Sequence, residues 1–249
     1  MTDIRVVTGA SIDQMAEFAK QANNMAKELG TTTKAYTDAS LIYFQQGDSQ
    51  AQAMQKAAIT TKAANVAFTA SAQEMSEMLT AVWNSYQVGS DELERVVDIM
   101  AALGATTASS TEEIATAMQK VAATANTVGV TIDQMSSILA TAASVTRQAP
   151  ETIGTSWNTI LSRIGGLKLG ETLDDGVTLN KYSAALASVG VNILDVSGQL
   201  RDMGSVIEEI GAKWDTLNTS QQSALAQTIG GARQYTQMIA FFDNFDKYQ

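Results

Sequence analysis

Residues 165–170 read GGLKLG, and positions 195, 197 and 199 are Asp, Ser and Gln; these two stretches come nearest to known chemistry by type and spacing. The first has the glycine separation of a phosphate-binding loop, in which backbone amides cradle phosphates and a lysine neutralises them. Glu171 stands where that lysine must be, and the run follows a helical pattern rather than a strand. No nucleotide site is expected there. The second imitates the opening of an EF-hand calcium loop, but Leu200 occupies the position that needs glycine, and no bidentate glutamate follows in register. A hairpin turn is the expected reading.

Acidic pairs come next: Glu112/Glu113, Asp174/Asp175 and Glu208/Glu209. Two carboxylates facing one bond could cleave a glycoside. Adjacent helical residues point about 100° apart, however, so such a pair does not converge; solvated faces and favourable charge at helix starts explain them better. Arg147, Arg163 and Arg233 are isolated and expected to be solvated, not anion-binding. The methionines at 15, 25, 75, 78, 100, 118 and 135 fall on core stripes, and Trp83, Trp157 and Trp214 are likewise expected inside. The chain contains neither cysteine nor histidine, which removes thiol nucleophiles, Cys-based zinc sites and His-dependent triads together. The expected site inventory is therefore catalytic none, cofactor none and metal none.

Composition agrees with a scaffold. The 249 residues are 45% hydrophobic and 17% charged, with one proline, Pro150, and a net charge of −10. That is a globular composition, and its negative surface repels phosphate backbones, so nucleic-acid contact is not expected. No stretch reaches eighteen uninterrupted apolar residues, so no membrane segment is expected. The opening MTDIRVVTG lacks the apolar centre of a signal peptide. The closing FFDNFDKYQ interrupts a helical pattern, as a piece of a longer protein would.

Helix starts must position whatever these residues do. Candidates fall at Ser11, Thr31, Ser49, Ser71, Ser90 or Asp91, Ser110 and Thr131, about twenty residues apart. Most have the capping-box form, in which the N-cap oxygen takes the N3 amide proton and the N3 side chain reaches back: Ser11/Gln14, Ser49/Gln52, Ser71/Glu74, Asp91/Glu94, Ser110/Glu113 and Thr131/Gln134. Thr219/Gln222 offers a seventh box. Gly30, Gly47, Gly89, Gly104 and Gly129 mark the preceding stops. Two starts are spelled almost alike, TGASIDQM over 8–15 and VGVTIDQM over 128–135. In both, glycine ends one helix, Ser or Thr caps the next, Gln closes the box, and Ile and Met begin the buried stripe. Pro150 opens an eighth helix over 150–164. The segment 165–179 reads as a loop or small hairpin around Asp175-Gly176, and 191–201 as two short strands about Asp195–Gly198. Helices resume at 180–189, 204–217, 219–228 and 232–246.

The predicted fold is mainly all-α: a multi-helix bundle or an array of antiparallel helix hairpins, with one or two small β-hairpins in the C-terminal third. Residues 1–164 form the helical bundle or array. Residues 165–249 form a mixed segment with small hairpins and three to four helices, packed on the first part.

Several stretches resemble the core region of phage tail tape measure proteins, of the type found in phages and prophages of Gram-positive bacteria. They are residues 98–145 (DIMAALGATTASSTEEIATAMQKVAATANTVGVTIDQMSSILATAASV), 150–167 (PETIGTSWNTILSRIGGL), 173–244 (beginning LDDGVTLNKYSAALASVGVNILDV) and 27–47 (KELGTTTKAYTDASLIYFQQG). The order of these moderately specific pieces carries the resemblance, which covers nearly the whole chain. It implies a structural protein of tail assembly and tail length determination that leaves the tube ahead of DNA at infection. It further implies a place in the virion tail after a stage in the host cytoplasm, with tail assembly chaperones, tail tube and tail-tip proteins as partners and self-association left open. The family supplies no catalytic residue to match here. Two other readings stand beside it: a helical binding or scaffold module of a bacterial secretion or signalling system, and a virion-associated peptidoglycan-degrading enzyme.

Overall fold

The computed structural model describes residues 2–67, 70–89, 92–168 and 172–248. Its helices are α1 (Thr2–Thr8), α2 (Ile12–Glu28), α3 (Thr33–Gln45), α4 (Gln50–Val66), α5 (Ala72–Tyr86), α6 (Leu93–Thr106), α7 (Thr111–Thr127), α8 (Ile132–Thr146), α9 (Pro150–Lys168), α10 (Leu179–Ala187), α11 (Met203–Trp214) and α12 (Thr219–Phe242), followed by a 3₁₀ turn at Phe245–Lys247. Five of the expected capping boxes close as read: Ser11/Gln14, Ser49/Gln52, Ser71/Glu74, Ser110/Glu113 and Thr131/Gln134.

Where expectation and structure part, local geometry gives the reason. The cap of α3 is Thr32, not Thr31. Gly30 adopts φ +66° and the Thr31 amide turns back to the Ala26 carbonyl, so Thr31 still belongs to the closing motif of α2. Gly89 is not the stop of α5; Gln87 takes the left-handed conformation at φ 52°. Gly104 lies inside α6, against the backbone of Ser110 and Thr111. The Asp91/Glu94 box falls outside the described residues, and α6 begins after Glu92 with no side-chain cap. The box before α12 is Asn218/Gln221; Gln222 instead donates to the Trp214 carbonyl. Helix α9 does not stop at 164 but runs to Lys168. The helices expected at 219–228 and 232–246 form one element, α12, broken at Gly231 (φ 67°, ψ 178°). Among the described residues there is no strand. The hairpin at 191–201 reduces to a single antiparallel bridge, Leu194 with Leu200, and the turn near Asp175 to the bonds Leu173 N to Val177 O and Gly176 N to Leu173 O. Helix α1 was not anticipated; it anchors through buried Ile4 alone.

Helix α7 is central and packs on α5 and α9, while α3, α4 and α5 pack on one another. Outside this centre, α1 and α2 lie on α3, α6 reaches α4, α7 and α8, and α12 lies on α8 and α9 with α10 against it. Small residues set these distances. Gly154 of α9 approaches α7 so closely that a Cβ would come within 2.3 Å of the Ala117 carbonyl oxygen. Ala115, Ala117, Ala122 and Ala125 line the buried side of α7. Large aromatics gather in two places: Phe18 with Phe44 and Tyr43 with Trp83 in the N-terminal helices, and a C-terminal group where Trp157 meets Phe241 edge-on at 5.2 Å and Trp214 stacks on Phe242 at 4.8 Å. All three tryptophans are buried, as are Met75, Met78, Met100, Met118 and Met135; Met15 and Met25 pack at the margin of the core.

Candidate functional site

The second of the two like-spelled helix starts sits at a junction of elements. Gly129 (φ +77°) follows α7, Thr131 caps α8 and accepts from the Gln134 amide at 3.2 Å, and the Gln134 side chain accepts from the Thr131 amide at 3.1 Å. Asp133 projects from the first turn, where the helix dipole favours a negative charge, and Arg95 of α6 donates to both its oxygens at 3.0 and 3.1 Å. Helix α11 enters from the other side. The Met203 amide donates to the Val128 carbonyl at 2.9 Å and the Gly204 amide to the Gly129 carbonyl at 3.4 Å. A Cβ on Gly204 would overlap the end of the Gln134 side chain at 1.9 Å, so any larger residue there would displace that side chain from the cap.

An open groove of about 840 Å³ runs along this junction, lined among others by Asp133, Ser137, Arg201, Ser205, Glu208 and Tyr248. Glu208 accepts from the Gln134 amide group at 2.9 Å and from the Tyr248 hydroxyl at 2.8 Å. Arg201 forks onto Glu209 and holds that carboxyl below its usual range, by hydrogen bonding first and by charge second. Burial pushes the Tyr248 phenol above its ordinary value, and the bond and charge of Glu208 add to it. Both shifts run away from neutrality, the opposite of what a general acid or base at neutral pH requires. The arrangement can recognise a charged or hydrogen-bonding surface. Among the described residues no group of three or more acidic, His or Cys side chains is placed to hold a metal ion.

The other residues with chemical potential are dispersed. Residues 165–168 of the glycine-rich run are helical, whereas 169–171 lie outside the described residues. Asp195 is the acceptor of its own turn, taking the Ser197 amide and hydroxyl and the Gln199 amide at 2.7–2.9 Å. Those bonds, the Ser197 hydroxyl first, hold its carboxyl below the usual range. Glu113 is consumed in the α7 cap. Arg233 is exposed as expected, whereas Arg163 is half-buried. It pairs with Asp175 at 2.7 Å and lies against the break in α12, where a Cβ on Gly231 would come within 2.8 Å of its guanidinium. Arg147 is the left-handed C-cap of α8 and donates to the Ala108 carbonyl. The roles of Arg95 and Gly204 have no signature in the sequence, since each depends on a neighbour at least 38 residues away.

These features define an all-α module whose helix starts double as docking points between elements. Over residues 19–231 the chain matches the family described as phage-related minor tail protein, and it belongs to that family. Membership gives it a structural role in the phage tail and makes other tail proteins its partners. No solved structure matches it. No helix among the described residues is long and apolar enough to cross a membrane.

Proposed function

We propose that this chain is a folded module of a tape measure protein of the Gram-positive phage or prophage type, serving tail assembly and tail length determination without catalysis of its own. Membership of the minor tail family carries the reading, and the ordered resemblance over 98–145, 150–167 and 173–244 supports the narrower assignment. The helix lengths support a division of the task. The longest helix has 24 residues and is broken at Gly231; at about 1.5 Å per residue it reaches about 36 Å. The extended ruler therefore belongs to another part of the protein, and this module serves as a folded contact point for tail assembly chaperones, tube and tail-tip proteins. It meets the chaperones in the host cytoplasm and leaves the tube before DNA.

The test is an in-frame deletion of the module in a phage that encodes it, read by electron microscopy of tails. Loss of assembled tails is expected. Tails of normal number and length would overturn the assignment, and release of peptidoglycan fragments by the purified chain above buffer would overturn its non-catalytic part.

A further inference from the structure

The two like-spelled helix starts share a local structure but not a fate. Ser11 and Thr131 have near-identical backbones (φ −67°, ψ 166° against φ −70°, ψ 164°), both boxes are closed, and Gly9 and Gly129 are both left-handed at φ +67° and +77°. At the second start everything is covered. Ile132 is 7% exposed, Asp133 is paired with Arg95, and the Val128 and Gly129 carbonyls accept from the α11 entry. A Cβ on Gly129 would already meet Asp202 at 2.8 Å.

At the first start nothing is covered. Ile12 is 71% exposed, a Cβ on Gly9 would meet no atom within 4 Å, and Asp13 has no ion-pair partner among the described residues. Neither the Thr8 nor the Gly9 carbonyl accepts a backbone hydrogen bond from an adjoining element. Beside this start opens a cleft of about 400 Å³ with Val7, Met15, Phe18 and Phe44 among its lining, and Val6 of α1 is 78% exposed. An isolated exposed valine means little, but an open cleft of mixed polar and apolar lining, with Val6, Val7 and Ile12 exposed on the same two short segments, marks a contact surface.

We infer that the α1–α2 junction is a docking site for a basic helix of a partner protein, which enters by its N-terminal turn as α11 does at the second start. Its first amides meet the Thr8 and Gly9 carbonyls, a small residue near its start allows approach to Gln14, and a lysine or arginine at the place Ser205 of α11 takes in the groove with Asp133 pairs with Asp13. Charge selects the partner. Over α1 and the first half of α2 the carboxylates Asp3, Asp13 and Glu17 outnumber Arg5 and Lys20, and the whole chain carries −10. A second copy would bring like charge to the site, and the chain's own matching elements, α6 and α11, are engaged at Asp133 and Gly129. The inference rests on the internal comparison and not on the tail assignment.

A fluorescent peptide of residues 199–216 with Ser205→Arg and Glu208→Lys supplies the α11 entry with added positive charge, and anisotropy against the full chain measures its binding. At low ionic strength the basic peptide is expected to bind at least tenfold more tightly than the unmodified one. Ile12→Asp and Asp13→Lys should each weaken it tenfold or more, Ile12→Asp without lowering the melting temperature because the side chain is exposed, and Asp13→Lys with only the small loss that reversing a first-turn charge brings. Glu77→Lys, an exposed change on α5, should leave it unaltered. Equal binding of both peptides, equal loss on Glu77→Lys, or indifference to both α2 variants would overturn the inference. So would a dimer in sedimentation velocity that Ile12→Asp dissolves, because the occupant would then be a second copy.

Discussion

At the scale of single residues, the caps show how little chemistry is needed to divide this chain into units. A hydroxyl or amide oxygen at the N-cap and a carboxyl or amide three residues on satisfy two amides that the helix itself leaves orphaned. Thr131 does this at the junction where α6 and α11 converge on α8. Thr131→Ala is expected to cost about 0.5–2 kcal/mol, measured by urea denaturation. A curve that overlays the parent would show that α8 holds its start through tertiary contacts alone.

Elements divide into those that announce themselves and those that do not. Helices with both a box and a glycine stop, such as α2 with Gly30 and α7 with Gly129, could be read from the amino acids because the same few residues decide both ends. The break in α12 was readable as a boundary, since Gly230 and Gly231 interrupt the pattern, yet its consequence was not. That the two halves continue as one element around a half-buried Arg163 depends on Asp175 and α9, which no local pattern reports. The apparent hairpin at 191–201 misled because alternation and an Asp–Gly turn are necessary for paired strands without being sufficient; only Leu194 and Leu200 pair. As for the candidate site, the capping motif was visible but not its partners, since Arg95 and α11 come from distant sequence. Gly231 and Gly198 offer a test at this scale. Both have positive φ, at +67° and +79°, but only Gly231 faces an obstacle. Alanine at Gly198 is expected to cost about 1 kcal/mol, the backbone contribution. At Gly231, in the extended positive-φ region that glycine alone occupies comfortably, it should cost about 1–3 kcal/mol more from added strain and contact. Equal chevron-derived stabilities for the two variants would show that Arg163 yields freely.

For the molecule as a whole, ionisable groups bound the range of pH in which it is stable. Arg201 holds Glu209 down, and the Ser71 amide and hydroxyl hold Glu74 down. Burial pushes Asp175 up, but Arg163 and the Val177 amide outweigh it and leave its carboxyl below the usual range. Each folded value lies below its unfolded one, so the contribution is complete above the ordinary carboxylate range of about 3.9–4.3 and is lost as pH falls through the folded values. At the alkaline end, burial pushes the phenols of Tyr36 and Tyr43 up to about 12. Their folded values are raised, so that contribution is complete below about 10 and disappears as pH climbs towards the folded value. The denaturation midpoint should therefore be nearly level from about pH 5 to 9 and fall on both sides. An acid limb that persists unchanged in an Arg201→Gln, Glu209→Gln double variant would remove that pair from the account.

The repeated heptapeptide, Gly-x-(Ser/Thr)-Ile-Asp-Gln-Met, also gives this protein an internal standard. Intrinsic amide exchange rates depend on neighbouring side chains, and the segments 9–15 and 129–135 share nearly the same neighbours. Any difference in deuterium uptake between them thus reports protection by the surrounding structure. In the free chain the first segment should exchange faster, because local opening is cheapest where few contacts must be broken. As partners are added the two rates should converge, so that the ratio between them becomes a gauge of occupancy that needs no attached probe and no external reference.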